Sequence, residues 1–424
     1  MLVGTSDGRL AHIGVQEAAK LFEGDMRIAV KGHEAGTVTA IVPHPAQYGV
    51  FLTAGMDGTV RMWDSNVRGP ACGDTIALPL SCDGDHCTCM DLVPGDGAVL
   101  ACGMLSGAVV LVRVTPSESM PGTVHGVGPK GEITKAGLLS LVGGQDASGG
   151  DAGVKRVKGR SVVCVRFGMA KEGVDGGGGQ VVLLAVSTDD AVINVYRMRD
   201  VQGGDAEEGI LSHIGACRGH TSDLSRVEME WDYTGTILVS ACGGEELLFW
   251  DMRFENGPKH KGMRPRCRPM RAAEARDASW LSWTLPLGWL SKGVEPLEGE
   301  DWSMTSLHGA RIAPVCAVGR SDGHLSIFPF PCASSSSHSQ AAHPVATQRA
   351  HLSPVSCARI LLSDSTIISA GGQDGCIAQW GLARPKDAKK EDATRGGSAK
   401  DACIEHAVKS LKQSKSVVYA HHSR

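Results

Sequence analysis

The chain has 424 residues, with 42 Lys and Arg against 46 Asp and Glu and a formal charge of −4. A nucleic-acid-binding body would normally be basic, so this balance argues against one. Hydrophobic residues make up 42% and Gly numbers 55, well above its usual share of about 7%. The chain therefore has a core to bury and many tight turns, which excludes wholesale disorder and favours short strands over long helices.

The opening, MLVGTSDGRL, has no charged n-region and no apolar h-region, so it does not read as a signal peptide. No apolar run approaches the roughly 20 residues needed to span a bilayer. The 14 Cys are spread along the chain rather than gathered into a small stapled domain. Cys102, Cys164, Cys242, Cys316 and Cys357 fall inside apolar strand-like runs, where they read as small hydrophobes. Together these features predict an intracellular, cytoplasmic protein without a membrane partner.

In chain order, seven hairpins share one pattern of apolar strand, small residues, turn and alternating strand. They are LVGTSDGRLAHI at 2–13, VFLTAGMDGTVRMWD at 50–64, AVLACGMLSGAVVLV at 98–112 and VVLLAVSTDDAVINVY at 181–196. TILVSACGGEELLFWD at 236–251, APVCAVGRSDGHLSIF at 313–328 and TIISAGGQDGCIAQW at 366–380 complete the set. Asp-Gly between such strands is a strong hairpin signal. The turns align at Asp7, Asp57, Ser106, Asp190, Gly244, Asp322 and Asp374. Six residues after each stands an apolar or aromatic residue: Ile13, Trp63, Val112, Tyr196, Trp250, Phe328 and Trp380. Four of the spacings lie near one four-stranded propeller blade of about 40–45 residues. The two long ones predict insertions at about 115–160 and 254–310.

A histidine precedes three of these hairpins, as Gly32-His33, Gly219-His220 and Ala350-His351. The unit is thus His, strand, strand, Asp turn, strand, Trp, and over residues 1–382 the chain resembles the WD-repeat superfamily. Hydrogen bonds among a buried His, the turn Asp and the Trp would tie three strands of a blade together. His33/Asp57/Trp63 and His351/Asp374/Trp380 are complete sets. His220 and Trp250 have Gly244 at the turn, so that blade is expected to be held differently and to depend less on its histidine. The expected fold is an all-β, seven-bladed WD-repeat β-propeller over 1–382, followed by a basic, flexible tail at 383–424. Its first blade begins in a second strand and is incompletely encoded. Its last blade also lacks an outer strand, so either the tail, with Ser416–Ala420 as candidate, fills a gap, or the chain is a fragment of a longer protein.

A narrower resemblance lies in RGHTSDLSRVEMEWDYTGTILVSACGGEELLFWD (218–251), ASWLSWTLPLGW (278–289), IFPFPC (327–332) and ISAGGQDGCIAQW (368–380). With the opening MLVGTSDGRLAHI, these pieces resemble, in order, the second propeller of the echinoderm microtubule-associated protein-like family. The resemblance implies a non-enzymatic, cytoskeleton-associated scaffold with tubulin or microtubules as partner. The family's first propeller, hydrophobic signature motif and coiled coil have no counterpart in these residues, so the scaffold is implied more directly than the attachment. A WD-repeat adaptor of signalling or ubiquitin-ligase complexes is the alternative.

No nucleophile elbow, phosphate loop or zinc-protease motif is present, so no catalytic residue, cofactor, metal or small-molecule substrate is assigned. Cys82, Cys87 and Cys89 lack the spacing of a structural zinc site; they read as core, with Cys87 and Cys89 on one strand face. Trp280, Trp283, Trp289 and Trp302 read as packing for an insertion. By analogy with WD-repeat proteins, partner contacts are expected on the rim residues just before the turns: Ser6, Met56, Leu105, Asp189, Gly243, Ser321 and Gln373. A second candidate contact is the basic run Lys259, Lys261, Arg264, Arg266, Arg268 and Arg271. The tail carries +5, which leaves −9 on the rest of the chain.

Overall fold

The structure, a computed structural model, describes residues 2–4, 9–12, 27–31, 33, 37–65, 72–78, 84–115, 132–139, 160–171, 179–190, 192–198, 211–221, 227–256, 263–297, 299–332, 342–382 and 411–413. Runs of about six apolar residues closed by turn residues are too short for stable helices and of ordinary length for strands. The single helical element among the described residues is a 3-10 turn at Ala272–Ala275. No helix among them is long and apolar enough to cross a membrane.

A three-stranded antiparallel sheet and then six four-stranded sheets of the blade type follow one another along the chain. The first comprises Leu2–Gly4, Arg9–His12 and Arg27–Lys31. The second comprises Val38–Pro43, Val50–Gly55, Thr59–Asp64 and Cys72–Ala77. The third runs through Cys87–Leu92, Val99–Met104, Val109–Thr115 and Glu132–Leu139. The fourth runs through Val162–Lys171, Gln180–Thr188, Val192–Met198 and Leu211–Arg218. The fifth holds Val227–Trp231, Ile237–Cys242, Leu247–Asp251 and Arg268–Met270, with a side hairpin of Phe254–Asn256 and Met263–Pro265. The sixth holds Met304–Gly309, Val315–Arg320, His324–Pro329 and Ala346–Arg349. The seventh holds Val355–Ile360, Thr366–Gly371, Ile377–Leu382 and Leu411–Gln413.

Two outer strands come from residues that the sequence pattern does not mark. Glu132–Leu139, inside the first long gap, pairs with Val109–Thr115. The outer strand of the last blade is Leu411–Gln413, pairing with Trp380–Leu382. The expected candidate, Ser416–Ala420, lies outside the described residues. The second long gap also contains blade strands, at Arg268–Met270 and Met304–Gly309.

The chain divides into two compact units. One holds Met1–Ile76, Ser117–Gly131 and Gly288–Arg424, and so the first, second, sixth and seventh blades apart from one strand end. Within it, Asp364 of the last blade accepts the backbone N–H groups of Arg311, Ile312 and Ala313 from the sixth, at 3.2, 2.6 and 2.9 Å. The inner strand of the last blade packs directly on that of the second, where Ser356 Oγ donates to Val38 O at 2.8 Å. Val38, Ile41, Phe51 and Trp63 share a core there with Cys357, Ile368 and Ile377.

The other unit holds Ala77–Pro116 and Glu132–Leu287, with the third, fourth and fifth blades. Thr88 Oγ1 donates to Val162 O at 2.6 Å, and Phe167 N donates to Asp91 Oδ2 at 2.7 Å. Burial, opposed by Arg166, pushes the Asp91 carboxyl up to about 6. Arg166 spans the fourth and fifth blades, giving Nε to Met229 O at 2.9 Å and Nη2 to Glu228 at 3.1 Å. The Trp-rich segment closes over this charge cluster: Thr284 donates to Glu228 and Glu230, and Ser282 to Glu230. Trp283 is buried and meets Trp280 edge-on at 5.5 Å. In the first unit Trp302 is buried beneath the Arg320 guanidinium at 4.3 Å. These tryptophans therefore hold their own segments in place.

Candidate functional site

The repeated His-to-Trp set forms as a relay through a residue that the sequence pattern does not mark. In the second blade His33 Nδ1 lies 3.0 Å from Asp57, and His33 Nε2 lies 2.8 Å from Thr53 Oγ1, which also accepts Trp63 Nε1 at 2.7 Å. In the seventh, Ser369 Oγ stands 2.9 Å from both His351 Nε2 and Trp380 Nε1. Asp374 lies 3.3 Å from His351 Nδ1. In the fifth, Ser240 Oγ takes the same place, 2.7 Å from His220 Nε2 and 2.8 Å from Trp250 Nε1. Thr53, Ser240 and Ser369 are fully buried. A hydroxyl fits because it both donates and accepts, so one atom serves the ring and the indole.

The fifth blade does not lack a carboxylate. Glu246, two residues beyond Gly244, lies 3.3 Å from His220 Nδ1 and also accepts Thr221 N at 2.9 Å. Glu245 takes the left-handed conformation there, with φ of 61°, where the Asp turns of the second and seventh blades use Gly58 and Gly375. The expectation of a blade held without a turn carboxylate is thus corrected: a longer side chain from a shifted position reaches the same nitrogen. Burial pushes His33 and His220 below the usual imidazole range, with the neighbouring carboxylate working in the opposite direction.

Five of the six described rim residues, Met56, Leu105, Asp189, Gly243 and Gln373, are exposed, and Ser321 is half-buried. Ser6 lies outside the described residues. Four of them share one backbone bond to the residue that precedes their blade's inner strand. Met56 N donates to Thr37 O, Leu105 N to His86 O, Asp189 N to Ser161 O and Ser321 N to Ser303 O, at 2.9–3.1 Å. This bond places each turn at the end of the blade where the inner strand begins. Leu352, which the sequence pattern misses, belongs to that end too: it is 74% exposed and its N–H bonds Asp374 at 3.1 Å. Its only signal is its place directly after His351.

The basic run is at the other end of the fifth blade. Leu247–Asp251 leads away from the rim turn, and Arg268 pairs opposite Asp251. Within the fifth blade, the structure therefore keeps the rim residue Gly243 apart from the basic run. Lys259 and Lys261 lie outside the described residues. Arg266 reaches Asp251 at 3.1 Å and Glu255 at 3.4 Å, and Arg268 reaches Glu255 at 3.2 Å. Burial alone would raise the Asp251 carboxyl, but hydrogen bonds from Arg253 and Arg266 outweigh it and hold the group at about 2. Arg271 is exposed and Arg264 half-buried. A cleft of about 530 Å³ opens beside Arg266, lined also by Met169, Lys171, Tyr233, Phe254 and Arg253. Because part of the run is engaged in ion pairs, Arg266→Glu should cost about 1 kcal/mol in a denaturant melt, whereas exposed Arg271→Glu should stay within about 0.5 kcal/mol. Equal melts would show that the Arg266 pairs contribute nothing.

Cys87 and Cys89 do not simply alternate on one face, because a β-bulge separates them. Cys87 is buried and Cys89 half-buried, and burial pushes the Cys89 thiol up to about 12. Cys82 lies outside the described residues.

The family model for the WD domain, G-beta repeat, matches residues 25–64 and 342–381. Echinoderm microtubule-associated protein-like 3 of Homo sapiens is 25% identical over 353 residues, which cover 83% of this chain and 31% of that protein. The 77 kDa echinoderm microtubule-associated protein of Strongylocentrotus purpuratus is 25% identical over 364 residues, 85% of this chain and 41% of that one. This is a WD-repeat β-propeller protein related to the echinoderm microtubule-associated protein-like proteins. It spans 31% to 41% of the length of these two relatives. Among solved structures, Chaetomium thermophilum Sqt1 bound to the N-terminus of the ribosomal protein L10 aligns with a TM-score of 0.45 and 15% identity, over 82% of the WD-repeat chain and 85% of its own. A chain of the mitotic checkpoint complex aligns with a TM-score of 0.47 and 15% identity, over 81% and 89%.

Proposed function

We propose that this WD-repeat protein is a non-enzymatic, cytoplasmic scaffold that attaches to microtubules and presents a second surface to another protein. The observation that carries the reading is its relation, over 83% of its length, to microtubule-associated proteins. Charge supports it: tubulin is acidic, and a body of −9 meets it through the basic end of the fifth blade and the basic tail. Met56, Leu105 and Leu352 are each exposed at the turn end of their own blade, and such apolar side chains suit a peptide segment. Co-sedimentation of the chain with polymerised tubulin tests the first part. The protein should pellet with microtubules at low ionic strength, and a chain that stays in the supernatant there would overturn the reading.

A further inference from the structure

The fifth blade departs from the second and seventh in two ways that meet at one point. The residue opposite the start of the inner strand is Gly55 in the second blade, facing Val38, and Gly371 in the seventh, facing Val355. In the fifth it is Cys242, facing Val227. The seat is tight: a Cβ on Gly55 would overlap His33 Nδ1, and one on Gly371 would overlap the Asp374 carboxylate. Cys242 therefore places a thiol where the other two blades leave room for the histidine and its acid. The same blade has replaced the turn Asp with Glu246, whose longer arm reaches in from two residues further on.

We infer that His220, Cys242 and Glu246 form a site for a divalent transition-metal ion of the zinc type. Nδ1 of His220, Sγ of Cys242 and a carboxylate oxygen of Glu246 all lie within 4.8 Å of one another. His220 Nδ1 is 3.3 Å from Glu246 Oε2, and Cys242 Sγ is 3.6 Å from the same oxygen. A tetrahedral zinc with bonds of about 2.0–2.3 Å has ligand edges of about 3.3 Å between N and O and about 3.5 Å between S and O. The two separations to the Glu246 oxygen thus match those such an ion requires, and the His220–Cys242 pair lies within 4.8 Å.

The surrounding bonds orient the ligands. Ser240 Oγ, 2.7 Å from His220 Nε2, turns the ring so that Nδ1 faces the acid, as second partners of metal-bound histidines do. Thr221 holds the carboxylate through its N–H and hydroxyl. Burial favours the neutral imidazole that a metal needs. On binding, the Cys242 thiol proton leaves to solvent, and the imidazole proton moves from Nδ1 to Nε2, where Ser240 Oγ accepts it. Gly243 and Gly244 are exposed beside the site, so the fourth position is open to water or to a side chain of a partner at the rim.

The test is a Co²⁺ titration of the full chain after treatment with a chelator. The expected result is one saturable site with a thiolate-to-cobalt charge-transfer band, displaced by Zn²⁺. Zn²⁺ should also raise the melting temperature. Cys242→Gly, the residue that the second and seventh blades carry at this seat, should keep the metal-free melt but lose both the band and the zinc response. Should Cys242→Gly not fold, Cys242→Ser keeps the side-chain volume and must lose the band likewise. A titration without a thiolate band, or a band that persists in either variant, overturns the inference.

Discussion

Replacing Arg166 with Ala should lower stability by about 3–5 kcal/mol, the largest single effect expected from a polar residue of this protein. The Arg166 side chain is 11% exposed and that of Glu230, 3.5 Å from its Nε, is 2% exposed. Removing it leaves a carboxylate buried without its counter-charge, and Met229 O and Thr284 lose a donor as well. Burial already pushes the Glu230 carboxyl upward, with Arg166 opposing it. In the variant that opposition is gone and the folded-state value rises further above the unfolded one. A carboxyl raised on folding stabilises below its unfolded value and loses that contribution as pH rises. The Arg166→Ala deficit should therefore shrink between pH 7 and pH 5, as urea melts at the two values would show. Replacing Arg166 with Met and Glu230 with Leu together should recover most of the loss, since an apolar pair of similar volume often substitutes for a buried ion pair. A single-variant loss below about 1 kcal/mol would show the cluster to be solvated.

The second large effect concerns the three histidines. His33→Ala, His220→Ala and His351→Ala should each cost about 1–3 kcal/mol, and the values should agree within about 1 kcal/mol. Every one of these rings links a buried hydroxyl, which also serves a Trp indole, to a carboxylate. Removal leaves the hydroxyl short of a partner and strands the acid near the core. The Gly244 turn, read alone, would make His220 the least costly of the three. Glu246 removes that difference. The comparison belongs in chelator-containing buffer, so that metal bound at Cys242 adds nothing. A distinctly smaller loss for His220 would mean that the carboxylate reaching from Glu246 contributes little.

The blade hairpins are readable in the sequence because their information is local: an apolar run, a turn with a left-handed position and a Trp lie within fifteen or so residues. The free, buried Cys102, Cys164, Cys316 and Cys357 are readable for the same reason, since each sits on the apolar phase of such a run. What escapes is what depends on distant pairing. Glu132–Leu139 and Leu411–Gln413 become outer strands only because an open sheet edge waits for them, and neither sequence is a strong strand former. Thr53, Ser240 and Ser369 look like ordinary small strand residues until the neighbouring strands bring a ring and an indole to the same oxygen. Charge count also misleads at 259–271. Six cations spread over 259–271 look uniformly available, yet Asp251 and Glu255, far enough upstream to be read with the preceding strand and hairpin, engage Arg266 and Arg268.

The central claim is that the chain is a scaffold whose basic run at 259–271 meets microtubules. It is tested most directly by co-sedimentation of three proteins across ionic strength. These are the chain itself, a variant with Lys259, Lys261 and Arg271 replaced by Glu, and a variant with Met56 and Leu105 replaced by Asp. The substitutions at the basic end leave the ion pairs of Arg266 and Arg268 in place, so binding is read apart from folding. Exposed charges are screened over about 8–10 Å at physiological salt, so attraction of this kind weakens steeply as salt rises. The native chain and the rim variant should pellet alike at low salt and both dissociate towards physiological salt, whereas the charge-reversed variant should stay in solution throughout. Salt-independent pelleting, or loss in the rim variant with retention in the charge-reversed one, would contradict the claim.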